Sequence, residues 1–115
     1  MESTVITHFN KSIQAKTACG ELLAPYIVSA SKKVVQQLLA GHKVLSCGNG
    51  LSGSLANIIT ELLLLQYKLE RPGFPAISLN ETGMLTAICH KNGKSQVFSK
   101  QVLALGQPGD LLIIF

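Results

Sequence analysis

Apolar positions recur at helical intervals through the first forty residues. Val5, Phe9, Ile13 and Ala18 begin the pattern and Leu22-Leu23 extend it. Pro25 interrupts it, so a second helix is expected to start near that residue. Ile27, Ala30, Val34, Val35, Leu38 and Leu39 then form an amphipathic stripe, and Gly41 stands where a C-cap glycine would sit. The pattern changes at Lys43–Cys47, a short apolar run that predicts a strand and leads into Gly48-Asn49-Gly50-Leu51-Ser52-Gly53-Ser54. A third helix is predicted from Ser52 or Ser54 to Tyr67. Its stretch Ile58–Leu65 is apolar nearly all round, so it must be covered on more than one side, which suggests a subunit interface.

Arg71-Pro72-Gly73 breaks the helical pattern. Phe74–Leu79 reads as a second strand, with Pro75 near its start where a missing N–H is tolerable. A short helix over Glu81–Ile88 follows. A further amphipathic helix spans Ser95–Leu105, with Val97, Phe98, Val102 and Leu105 on one side. Gly106–Asp110 is a turn, and Leu111–Phe115 is a continuously apolar third strand. Strands that alternate with helices imply parallel βαβ units, and continuously apolar strands imply a sheet covered on both faces. The expected fold is therefore α/β, a doubly wound parallel sheet of about three strands behind two leading helices. It divides into a helical segment, 1–41, and an α/β core, 42–115.

Composition narrows the function classes. The 115 residues are 47% apolar and only 14% charged, which excludes a disordered chain and a coiled coil. No run approaches the ~18 consecutive apolar residues of a membrane span, and Met1-Glu2-Ser3-Thr4 does not open a signal peptide, so a soluble chain is expected. Ten Lys/Arg against six Asp/Glu give a net charge of +4. The lysines are scattered, Lys32-Lys33 being the one adjacent pair, and no aromatic residue interleaves with a basic run. Direct nucleic-acid binding is therefore not expected. Cys19, Cys47 and Cys89 lie far apart with no CxxC spacing, which argues against a disulfide framework and a zinc ribbon and for a reducing, cytoplasmic compartment.

The turn CGNGLSGS sits between a strand and a helix, where open parallel sheets bind ligands. Glycines let the backbone approach a ligand, and the free N–H groups of the helix start suit an anion. Ser52 and Ser54 add hydroxyls, and the Asn49 amide can both donate to and accept from a sugar hydroxyl. A phosphosugar site and an ordinary tight βα turn both fit this spacing. The turn matches neither GxGxxG with a following acid nor a P-loop.

KVLSCGNGLSGSLA, then ERPGFPAISLN, then KQVLALGQPGDLL, taken together, resemble the sugar-isomerase (SIS) domain family over essentially the whole chain. The similarity points to two branches, the phosphoheptose isomerases and the non-catalytic proteins that associate with the replication initiator DnaA. It implies a flavodoxin-like fold, a homo-oligomer (a tetramer in the full-length family), and a substrate-binding turn at Asn49, Gly50, Leu51 and Ser52. It also implies a longer domain with further strands and a Ser/Thr-rich phosphate loop after the third strand seen here, so the chain is expected to be C-terminally truncated.

Within the family, the isomerases carry a metal-binding His and Glu four residues apart on the helix after GNG. By alignment these positions are Ile58 and Leu62, which neither bind a metal nor move a proton. Glu61 is adjacent but turned about 100° around the helix, and reads as a solvated or interface carboxylate. The isomerases' Asn-Asp pair is replaced by His90-Lys91, and His90 has no orienting partner in the sequence. His8 and His42 read as structural or solvated. SLNETGMLTAI and FSKQVLALG resemble the DnaA-associating branch more closely. The expectation is therefore a non-catalytic protein that binds DnaA and regulates replication initiation, with no catalytic residues, no metal, no cofactor and a residual phosphosugar-binding turn. The alternatives are a sedoheptulose 7-phosphate isomerase, which would bring zinc, and a degenerate fragment without activity.

Overall fold

The computed structural model describes all residues 1–115. The order along the chain is α1 (Glu2–Leu39), β1 (Val44–Cys47), α2 (Leu51–Leu64), β2 (Ala76–Ser78), α3 (Thr82–Asn92), a 3₁₀ turn (Lys94–Gln96), α4 (Ser99–Leu105) and β3 (Leu111–Ile114). The chain divides into two compact units, Met1–Lys33 and Val34–Phe115.

The first unit is helical throughout. The break expected at Pro25 does not occur, since one 38-residue helix carries that proline inside it. A proline removes a single backbone hydrogen bond and crowds one preceding carbonyl. The ladder on either side of Pro25 is long enough to carry the helix past that local loss.

The second unit is built on three parallel strands in the order β2-β1-β3. Val44 pairs with Ala76 on one side and with Leu111 on the other. Central β1 is buried at all four residues. Its alternate side chains serve two layers. Leu45 and Cys47 join Leu79 in a small core against Phe98 and Val102. On the opposite face the Ser46 hydroxyl donates to Ala56 O (2.9 Å) and meets Thr60 Oγ1 (2.8 Å), so α2 is held to the sheet by a buried polar cluster. Both faces of β1 are thus covered, and the doubly wound α/β class is the observed one. The flanking strands are less enclosed, with Ile77, Leu112 and Ile114 exposed.

Three further features differ from the sequence expectation. Helix α2 stops at Leu64 rather than Tyr67 because Arg71 reaches back to its last turn. That guanidinium donates to Leu62 O (2.7 Å) and Leu63 O (3.1 Å) and lies 4.4 Å from the Phe74 ring centroid. The helix expected over Ser95–Leu105 is split into the 3₁₀ turn and α4, and the turn between them drops Phe98 onto the core. Finally, α2 presents its small residues Gly53, Ala56 and Thr60 to the sheet, while Leu51, Leu55, Ile58 and Leu65 are exposed.

At the amino ends of the strands, Asp110 accepts from the backbone N–H of Lys43 (3.0 Å) and of Gln107 (2.8 Å) and pairs with the Lys43 ammonium. Hydrogen bonds from Lys43 hold its carboxyl down at about 2. The GD dipeptide and the RPGF segment thus have structural employment on this fold.

Candidate functional site

A cleft of about 310 Å³ opens at the carboxyl ends of β1 and β2. Its floor is the turn Gly48-Asn49-Gly50, and its wall is made by Thr86 and Cys89 of α3 together with Lys94, Val97 and Phe98. The volume falls at the low end of the ~300–1,000 Å³ usual for small-molecule sites.

The turn is set by backbone constraints. A Cβ at Gly48 would lie 2.5 Å from the Ser52 backbone, so only glycine lets α2 start this close to β1. Gly50 takes φ +56°, in the left-handed region that glycine adopts without strain. The turn is then anchored from the neighbouring strand. The Asn80 side chain accepts from Gly48 N–H (3.0 Å) and donates to Gly48 O (2.6 Å). A carboxamide therefore continues the parallel ladder one step beyond β2, where Leu79 N–H already donates to Ser46 O (2.8 Å). Behind the wall, buried Gln101 donates to Leu79 O (2.9 Å) and Val97 O (2.8 Å), tying α4 to the end of β2.

Of the four residues expected to bind substrate, Asn49 and Gly50 line the cleft, whereas Leu51 and Ser52 are not among its lining residues. Leu51 is 90% exposed, and the Ser52 N–H donates to Asn49 O within the turn (3.1 Å). His90 and Lys91 sit exposed in the last turn of α3, outside the lining. Sequence reasoning missed Asn80, Thr86, Cys89 and Lys94. Asn80 was findable, because it directly follows the second strand at the end where such sheets bind ligands. Cys47 lies behind the turn, and burial pushes its thiol pKa up. Zinc, which the isomerase alternative would bring, finds no fit among these side chains. Ile58 and Leu62 offer no donor atom, and no three His, Cys, Asp or Glu residues gather anywhere in the chain.

A parallel sheet whose central strand is covered on both faces, with a glycine-floored cleft at its strand ends, defines an open α/β domain of the kind that binds ligands there. The chain belongs to the SIS domain family, whose pattern matches residues 8–115. It is 43% identical over 113 residues to a phosphoheptose isomerase of Chromohalobacter salexigens, covering 97% of this chain and 57% of that one. It is 46% identical over 106 residues to a phosphoheptose isomerase of Shewanella sp. strain ANA-3, covering 91% and 54%. Among solved structures, a phosphoheptose isomerase from Francisella tularensis superimposes with a TM-score of 0.91 at 42% identity, covering 97% of this chain and 59% of that one. One from Neisseria gonorrhoeae gives 0.87 at 34% identity, covering 98% and 59%. The chain spans a little over half the length of the relatives it matches.

These relatives overturn the expectation of a non-catalytic, DnaA-associating regulator of replication. They are phosphoheptose isomerases, and nothing in them supports that role. The physical reason for the misreading lies in the segments that suggested it. SLNETGMLTAI and FSKQVLALG form the end of β2, α3 and α4, and supply Leu79, Phe98, Gln101 and Val102 to the core and its supports. Their likeness to one branch reports packing, not a partner. Nor is any helix long and apolar enough to cross a membrane.

Proposed function

We propose that this chain is a phosphoheptose-isomerase-type SIS chain whose cleft holds a phosphorylated sugar, sedoheptulose 7-phosphate. The observation that carries the reading is the cleft itself: a glycine floor against the start of α2, fixed by Asn80, in a chain 43% identical to a phosphoheptose isomerase. Its residues bind and orient. Asn49 and Thr86 offer hydrogen bonds to hydroxyls, the backbone of Gly48–Gly50 lies close enough to meet the sugar, and Phe98 and Val97 exclude water from one side. No acid–base pair or metal set is assembled within these residues, so the chain's own contribution is the cradle. The exposed stripe Leu51, Leu55, Ile58 and Leu65 supports self-association as part of the same reading.

Calorimetry with sedoheptulose 7-phosphate tests the cradle, and a turnover assay with the same sugar phosphate tests the isomerase activity. Saturable binding with turnover supports the full reading. Binding without turnover confines it to the cradle, and absence of binding overturns it. Light scattering that shows a monomer at high concentration overturns the self-association.

A further inference from the structure

The parallel ladder between β1 and β2 ends in an exchange of partners. Val44 N–H donates to Pro75 O and Leu79 N–H to Ser46 O, so the two-residue repeat of the ladder would next bring Gly48 N–H to Leu79 O. The Asn80 carboxamide takes Gly48 instead, at both its N–H and its O. Leu79 O is thereby released from the sheet, in a residue with 0% exposure, where an unpaired carbonyl would be costly. Gln101, itself buried, supplies the missing donor (2.9 Å). Its Nε2 also donates to Val97 O (2.8 Å), so both hydrogens of the amide are used. One side-chain nitrogen thus reaches from the residue beside Asn80, which braces the floor of the cleft, to Val97, which lines the wall next to Phe98. Gln101 is not among the lining residues of that cleft. Its bond to Leu79 O is the one hydrogen bond between residues 94–105 and the sheet; Phe98 and Val102 add apolar contact, which resists separation but is not directional.

From this bridge we infer that Gln101 is a positioning residue of the cleft: it fixes the Val97–Phe98 wall against the floor braced by Asn80, and so sets the width offered to a ligand that it does not touch. The inference rests on the sugar-phosphate reading for what enters the cleft, and on the hydrogen bonds alone for how the cleft is held. A pre-set wall spares the ligand the entropy of ordering it, so loosening the wall weakens binding even where every lining residue is kept. A strut that serves only the core would instead lower stability and leave the affinity of the folded chain as it was.

The experiment compares the unmodified chain with Gln101→Met, which keeps length and loses both donors, and with Gln101→Asn, which is one carbon shorter and cannot span the two carbonyls. Gln96→Met makes the same exchange in the 3₁₀ turn, where the Gln96 side chain meets only exposed Ser99, and serves as the control. Binding of sedoheptulose 7-phosphate is measured by calorimetry at a temperature where melts show each chain fully folded. Amide hydrogen exchange is read by NMR without ligand. Gln101→Met and Gln101→Asn are expected to weaken the sugar phosphate about tenfold and to speed exchange at Val97 and Phe98, with Val44–Ser46 unaltered and Gln96→Met like the unmodified chain. A lowered melting temperature with unchanged affinity in the folded variants overturns the inference, and so does an equal loss in Gln96→Met. If Gln101→Met does not fold, Gln101→Asn decides by the same readings. If the unmodified chain binds no sugar phosphate, the sugar reading fails, and the exchange decides separately on Gln101: faster exchange confined to the wall upholds the strut, and unchanged exchange overturns it.

Discussion

Gly53→Ala should destabilise the second unit, although the same change in a helix ordinarily stabilises. Alanine is favoured over glycine by up to ~1 kcal/mol in a helix. At Gly53, however, the added Cβ would stand 2.6 Å from Asn80 Nδ2 and 3.1 Å from Gly48 O. Those two atoms are themselves hydrogen-bonded to each other at 2.6 Å. Relief of the clash therefore moves the Asn80 carboxamide and breaks its two bonds to Gly48. At ~0.5–1.5 kcal/mol each, their loss amounts to ~1–3 kcal/mol and outweighs the gain in propensity. A net loss of ~1 kcal/mol corresponds to a fall of about 4–8 °C in melting temperature for a unit of this size. The decisive comparison is a double-mutant cycle by urea denaturation. In an Asn80→Ala background the 2.6 Å clash is gone and only the 3.1 Å approach to Gly48 O remains, so Gly53→Ala should become close to neutral. The coupling between the two sites is then of the order of 1–3 kcal/mol. If Gly53→Ala raises stability in the unmodified chain, or if the two changes simply add, Asn80 does not brace the turn in the way described.

Other outcomes follow from the same geometry. The depressed Asp110 carboxyl contributes stability that is fully present above its unfolded pKa of ~3.9 and is lost as pH falls through about 2, so Asp110→Asn should lower stability at neutral pH and converge with the unmodified chain in acid, as read by melts across that range. Thr60→Val leaves the Ser46 hydroxyl bonded to Ala56 O and should cost only ~0.5–1.5 kcal/mol by urea denaturation, and a loss several times larger would contradict the hydrogen-bond arrangement given for that cluster. Cys19 and Cys89 are exposed and Cys47 is buried with a raised pKa, so alkylation of the native chain followed by mass spectrometry should label the first two and spare the third until denaturant is added. Sugar phosphate bound in the cleft should slow labelling of Cys89 and leave Cys19 unaffected.

The alternation of helical and continuously apolar segments made the α/β class legible, because a strand buried on both faces has a distinctive composition. Val44-Leu45-Ser46-Cys47 is such a strand, and all four residues are buried. Elements governed by long-range contact were less legible. The early stop of α2 depends on Arg71, which is separated from Leu62 by a loop, and the split before α4 depends on Phe98 finding Leu45 and Cys47. The floor of the cleft could be read in GNG because glycine reports backbone geometry locally. The wall could not, since Thr86, Cys89 and Lys94 are ordinary residues that acquire a role only when α3 and the 3₁₀ turn fold beside β1. Position-by-position comparison set Ile58 and Leu62, which carry no donor atom, against the family's metal-ligand positions, and that remains an expectation from the resemblance. It misjudged the branch, where packing residues were taken as markers of a partner.

The parallel sheet also bears on how fast the second unit folds. Central β1 has no neighbour close in sequence. Gly48 meets Asn80 across 32 residues, and Lys43 meets Asp110 across 67. Each closure loses chain entropy before the pairing it permits can compensate, and folds dominated by such distant contacts fold slowly. Until residues 111–114 are in place, one edge of β1 is an unpaired row of amides flanked by apolar side chains, a template for the wrong neighbour. The Lys43–Asp110 contact therefore has a kinetic meaning as well as a static one, because it joins the start of β3 to the start of β1 and sets the register in which the last strand arrives.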